Sequence, residues 1–153
     1  MNFEVSIVDC FNRFYADNNI RAVALRLERS SRFSAHPCDV LSDTPNRKEY
    51  YFGIEAKSLR YTGQGKLHFS SHFQNKGKQL DRMMEFLDMS GRDGYLAVQL
   101  EDKKNKTREA YLLDIEPVYS IYQDGEPGIK VDFIRGGAPF IWKGQFAKGH
   151  YIL

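Results

Sequence analysis

A chain of 153 residues that is 42% hydrophobic is long enough to bury a substantial core as one globular domain. Its formal net charge is only +2, so charge alone announces no nucleic-acid partner. No apolar run approaches the roughly 20 residues of a membrane helix, and Met1-Asn2-Phe3-Glu4 lacks the basic start and apolar run of a secretion signal.

Phe3, Ile7, Cys10, Phe11 and Phe14 recur at helical spacing and predict an amphipathic helix over 3–17, ended by Asp17-Asn18-Asn19. Val23, Leu25 and Leu27 alternate with Ala24 and Arg26, which predicts a strand over 20–27. Residues 29–37, rich in Ser and Arg, read as an exposed loop. Cys38-Asp39-Val40-Leu41 is a short strand-like run, Asp43-Thr44-Pro45-Asn46-Arg47 a turn, and residues 50–57 a second strand. Gly63 and Gly65 make 61–73 look irregular. Leu80, Met83, Met84 and Leu87 mark a second helix closed near Ser90-Gly91, and residues 95–100 and 110–113 read as further strands. From Pro117 onward, glycine and proline interrupt short apolar runs. The order predicts a mixed α/β or α+β domain with a central sheet, its core within about 2–115 and an extension over 116–153. Cys10 and Cys38 show no metal-site spacing and read as reduced thiols of an intracellular protein; a disulfide between them is the alternative.

The chemistry gathers around Asp39 and Glu55-Ala56-Lys57. Side chains alternate along a strand, so Phe52, Ile54 and Ala56 share an apolar face while Glu55 and Lys57 share the other. If the two runs pair as a hairpin, Asp39 comes beside Glu55. Two acids and a lysine placed this way can hold a divalent cation and polarise a phosphodiester. Glu4 is the better third acid: at 100° per residue it borders the apolar stripe of the first helix, whereas Asp9 falls on the solvent side. Oxygen ligands favour Mg²⁺, with Mn²⁺ as a substitute, over zinc. The competing reading is a solvated sheet face on which Glu55 and Lys57 form an ion pair.

Other features are weaker. Gln79 shares a helical line with Met83 and Phe86 and either points toward the acids or lies on an ordinary helix surface. Ser30, Ser31 and Ser34, among Arg29 and Arg32, suit phosphate contacts or simple solvation. Arg26, Arg60, Lys76, Lys78 and Arg82 fall in the segment that carries the acids. His68 and His72 have the spacing of a helical metal pair, but their surroundings make that helix doubtful; His36 and His150 show no partner.

With these residues assembled, the chain resembles the PD-(D/E)xK nucleases, and within them the Holliday junction resolvases of the archaeal and RecU-like kind. The resemblance runs over about 2–115 through Asn2-Phe3-Glu4, Ala22-Val23-Ala24-Leu25-Arg26, Ser30-Ser31, Cys38-Asp39-Val40, Ile54-Glu55-Ala56-Lys57, Gln79-Leu80-Asp81-Arg82-Met83 and Gly94-Tyr95-Leu96-Ala97-Val98. It implies a restriction-endonuclease-like fold, a central mixed sheet flanked by helices. It also implies that Asp39, Glu55 and the Ala56 carbonyl bind metal with Glu4 completing the set, that Lys57 is catalytic, and that Gln79 supports the site. The expected activity is Mg²⁺-dependent resolution of four-way DNA junctions by a homodimer that nicks opposed strands, in the cytoplasm with the nucleoid or in a host's cytoplasm. Arg26, Arg29, Ser30, Ser31, Arg32, Arg60, Lys76, Lys78 and Arg82 are then candidate DNA contacts. Two alternatives stand beside it: a restriction-like or repair endonuclease acting on duplexes, flaps or mismatches, and a DNA-binding module without activity.

Overall fold

The computed structural model describes residues 2–28, 36–145 and 148–153. Helix α1 (Phe3–Asp17) starts where the Asn2 side chain accepts the Glu4 N–H at 2.8 Å. It stops where the Asn18 backbone and side-chain amides both return to the Phe14 carbonyl and Asn19 turns left-handed at φ 54°. Phe3, Ile7, Cys10 and Phe11 are buried, as their spacing predicts.

The remaining elements, in order, are β1 (Val23–Arg26), β2 (Val40–Asp43), β3 (Phe52–Tyr61), β4 (Lys66–His68), α2 (Phe69–His72), α3 (Lys78–Ser90), β5 (Asp93–Asp102), β6 (Thr107–Asp114), α4 (Ile115–Gln123), β7 (Gly128–Lys130), α5 (Val131–Ile134), β8 (Ala138–Gln145) and β9 (Lys148–Ile152). A seven-stranded sheet runs in the order β1-β2-β3-β5-β6-β8-β9. Only β3 and β5 are parallel neighbours in it, and a parallel pair needs a crossover; α3 lies within that connection. β5 is the central strand, with Leu96, Ala97, Val98 and Leu100 all buried, because both faces of the sheet are covered.

Helix α1 covers one face. Phe11 meets Phe52 at 5.2 Å and Phe140 at 6.1 Å, and Phe3 meets Tyr151 at 5.8 Å, in tilted and edge-on contacts. On the other face Leu80, Met83 and Leu87 of α3 join Leu59, Leu96, Val98 and Val118 in a second cluster. The face of β3 that carries Glu55 is therefore a covered one, and Glu55 is only 2% exposed. A solvated sheet surface is excluded there.

Two segments gain structure that their residues did not announce. Residues 61–73, expected to be irregular, contain β4 and α2, because Leu67 pairs with Ile129 of β7 and both side chains are buried. That pairing spans some sixty residues, and no local pattern reports it. The stretch beyond Pro117 forms α4, with the proline in its first turn where no N–H is missed, and then completes the sheet with β8 and β9. Val118, Ile129, Ile134, Phe140 and Tyr151 bury themselves from this stretch.

Candidate active site

Asp39 sits immediately before β2, and its backbone continues the ladder on both sides: it donates to the Ile54 carbonyl at 2.9 Å and accepts from Leu27 at 2.8 Å. The register Val40↔Ile54 places it beside Glu55. Its Oδ2 accepts the Ala56 N–H at 2.8 Å, which closes the hairpin around the acids. Asp39 and Glu55 are both buried.

From α3, Gln79 reaches this pair. Its Nε2 donates to Glu55 Oε1 at 2.7 Å. Its Oε1 accepts from Lys57 Nζ at 3.2 Å and from the Gln74 backbone N–H at 3.1 Å. A backbone N–H and an ammonium only donate, so one orientation of the amide satisfies all three partners. Lys57 Nζ is also 3.4 Å from Glu55 Oε1 and lies 4.8 Å from the centre of the Phe73 ring.

Glu55 Oε2 is buried and has no hydrogen-bond partner. Burial above all, and then the Asp39 charge, push the Glu55 carboxyl from 4.5 up to about 8, while Lys57 pulls it back. The orphaned Glu55 oxygen thus stands in the same cleft as a second buried carboxylate, Asp39. Burial first, then the Glu55 and Asp39 charges, push the Cys38 thiol up to about 12, away from the thiolate form. Cys38 and Cys10 are both free, so no disulfide joins them.

Glu4 lines the same cleft, of about 160 Å³, with His36, Asp39, Glu55, Ala56, Lys57, Gln74 and Gln79. Its carboxylate is held by Arg26, Nε to Oε2 at 2.8 Å. Accordingly, among the described residues no three of the His, Cys, Asp and Glu side chains converge closely enough to hold a metal ion. Asp39 and Glu55 are the two buried carboxylates of the cleft, beside Ala56, and Glu4 lines it with them.

The basic candidates scatter. Lys76, Lys78 and Arg82 are exposed around the start of α3, Arg82 donating to Gln74 Oε1 at 3.4 Å. Arg60 has the strand parity of Ile54 rather than Glu55 and pairs with Glu101 at 3.1 Å. Arg29, Ser30, Ser31 and Arg32 lie outside the described residues. His72 Nδ1 accepts the His68 backbone N–H at 2.8 Å, which commits that nitrogen to local capping rather than to metal. Gln74 and His36 are the cleft residues that sequence reasoning missed. Gln74 acts through its backbone N–H, which no residue pattern encodes; His36 stands three positions before Asp39, and only that proximity hinted at it.

A larger hollow of about 680 Å³ lies between the end of α3 and the start of α4, lined by Asp88, Arg92, Asp93, Asp114 and Glu116 among others. Arg92 there is engaged by Asp43 at 2.8 Å and stacks on Tyr51 at 4.1 Å, and no lysine stands among its acids.

No protein-family model matches the sequence, and no curated protein matches it. Among solved structures, the chain is similar to Hjc of Archaeoglobus fulgidus, a Holliday junction resolvase from an archaeal hyperthermophile. The TM-score is 0.52 at 15% identity, with 86% of this chain and 93% of that chain covered. The likeness establishes the fold: a central mixed sheet flanked by helices, restriction-endonuclease-like, as the ordered motifs implied. No helix among the described residues is long and apolar enough to cross a membrane.

Proposed function

We propose that the chain is a metal-dependent endodeoxyribonuclease that resolves four-way DNA junctions as a homodimer, working in the cytoplasm where such DNA is found. The observation that carries the nuclease reading is Glu55 Oε2, buried without a partner next to Asp39 and Lys57, on a fold shared with a junction resolvase. A buried carboxylate pair is costly unless a cation neutralises it. Mg²⁺ or Mn²⁺ held by Asp39, Glu55 and the Ala56 carbonyl would supply positive charge against the scissile phosphate.

The chain's own residues do the rest. Lys57 places an ammonium beside the same carboxylate, where it stabilises negative charge developing on the phosphoryl oxygens. Gln79 keeps Lys57 and Glu55 from collapsing into a closer ion pair by standing between them, and Gln74 holds Gln79 in turn. Phe73 screens Lys57 from water on one side, which strengthens its field. Arg26, tied to Glu4 at the edge of the cleft, and the exposed Lys76, Lys78 and Arg82 offer cations for the flanking phosphates. Selectivity for a branch then follows from the spacing of two such clefts in a dimer, with no base reading needed.

The test is cleavage of an end-labelled four-way junction with Mg²⁺, beside linear duplex and fork controls and the Asp39→Asn protein. Paired, symmetric nicks that vanish with EDTA and with Asp39→Asn are the expected result. Equal cutting of all three substrates would replace junction resolution by a restriction-like or repair activity. Tight binding without cutting would leave a DNA-binding module.

A further inference from the structure

His36 belongs to none of the motifs, yet it lines the reactive cleft. Its Nδ1 lies 2.8 Å from the carbonyl oxygen of Cys38. A carbonyl oxygen carries no hydrogen, so at that distance Nδ1 is the donor. The tautomer of the neutral ring is thereby decided: Nδ1 holds the hydrogen and Nε2 the lone pair. The tether is firm. Cys38 is fully buried, its thiol reaching the Val40 carbonyl at 3.5 Å, and the next residue, Asp39, is bonded to Leu27 on one side and Ile54 on the other.

Hydrolysis needs a group that takes a proton from the attacking water. The other residues lining the cleft serve that step poorly. An ammonium such as Lys57 has no lone pair, and Gln74 and Gln79 do not titrate. Glu4 is engaged by Arg26, and Asp39 and Glu55 are the carboxylates that suit a cation. The cleft that His36 lines also holds Glu4 from α1, bonded to Arg26 of β1, Asp39 before β2, and Glu55 and Lys57 from β3.

We propose that His36 is a further catalytic residue of this cleft, accepting through Nε2 the proton of the water that attacks phosphorus; the inference rests on the nuclease reading above. As the water oxygen forms its new bond to phosphorus, its proton passes to Nε2. The bond from phosphorus to the leaving oxygen breaks with its electron pair, and that oxygen takes a proton from solvent. The imidazolium then returns its proton to bulk water, so one water is consumed and one hydroxyl and one phosphomonoester are formed.

The test is single-turnover cleavage of the junction by wild-type, Asp39→Asn and His36→Ala proteins, with and without added imidazole. His36→Ala should cut about 10²-fold more slowly. Its junction affinity in EDTA should be unchanged, and imidazole should restore part of the rate in proportion to its neutral fraction. A structural role would give a loss that imidazole leaves untouched, and that result overturns the proposal. So does a His36→Ala rate within about twofold of wild type, far short of what a general base contributes. Should His36→Ala fail to fold, His36→Asn, whose side-chain amide can keep the bond to the Cys38 carbonyl, is read by the same criteria, and an Nε2–H tautomer in the ¹⁵N shifts of wild-type His36 overturns the assignment. If wild type cuts nothing, the nuclease reading itself fails and this inference with it. If only Asp39→Asn is inactive, His36 alone is acquitted of the chemistry.

Discussion

Glu55 is held in a place where a carboxylate is expensive. Between about pH 4.5 and about 8 the folded protein keeps a proton there that the unfolded chain has released. The stability contributed by this group is full below that window and is lost as pH rises through it. Measured in EDTA, wild type should therefore lose stability relative to Glu55→Gln on going from acid to alkaline pH, on the order of a few kcal/mol. Since a cation binds the ionised form, Mg²⁺ or Mn²⁺ should offset that loss and raise the Tm of wild type most at the alkaline end. Thermal melts across the window check both. A wild-type-minus-Glu55→Gln difference that stays flat with pH would show that folding leaves the Glu55 pKa unmoved.

At the scale of elements, the start of α3 is built on strain. Asn75 and Lys76 are left-handed at φ 56° and 55°, and Gly77 follows at φ 97°. This turn aims the Gln74 N–H at Gln79 while Gly77 lies flat on Tyr122 of α4, where a Cβ would come within 2.5 Å of a ring carbon. The neighbouring Tyr119 hydroxyl bonds Asp81 at 2.5 Å, so α4 clamps the first turns of the helix that supports the site. Gly77→Ala should cost about 1–3 kcal/mol through the left-handed backbone and the ring clash together. It should also slow junction cutting, because the Gln74 N–H moves off Gln79. Urea melts and single-turnover rates on one preparation test the link. A variant that loses stability but cuts at the wild-type rate would separate the turn from the site.

For the molecule as a whole, the question is whether residues 116–153 are an addition or part of the core. Val118, Ile129, Val131, Ile134, Phe140 and Tyr151 are all buried from this stretch. At about 1.5–3 kcal/mol for each fully buried side chain, their loss approaches or exceeds the 5–15 kcal/mol by which a domain is stable. They also close β6 on its open side through β8 and seat α1 against Tyr151. A protein truncated to residues 1–115 should show no cooperative melt by circular dichroism. A sharp transition in that fragment would show that the earlier segment folds by itself.

The sequence by itself determined the elements whose evidence is local. The period of Phe3, Ile7, Cys10 and Phe11 makes α1, the alternation from Phe52 to Lys57 makes β3, and Leu80, Met83 and Leu87 make α3, each because a buried stripe must match the repeat of its backbone. The pairing of Asp39 with Glu55 was legible for the same reason: one short hairpin fixes its register. The tertiary structure alone decided what required distant segments to meet. It put Glu55 under α3 instead of in water, set Arg26 on Glu4, drew β4 to β7, and made the stretch after Pro117 close the sheet. It also brought His36 and the Gln74 N–H to the acids, through contacts that depend on backbone position in space and leave no periodic trace in the order of residues.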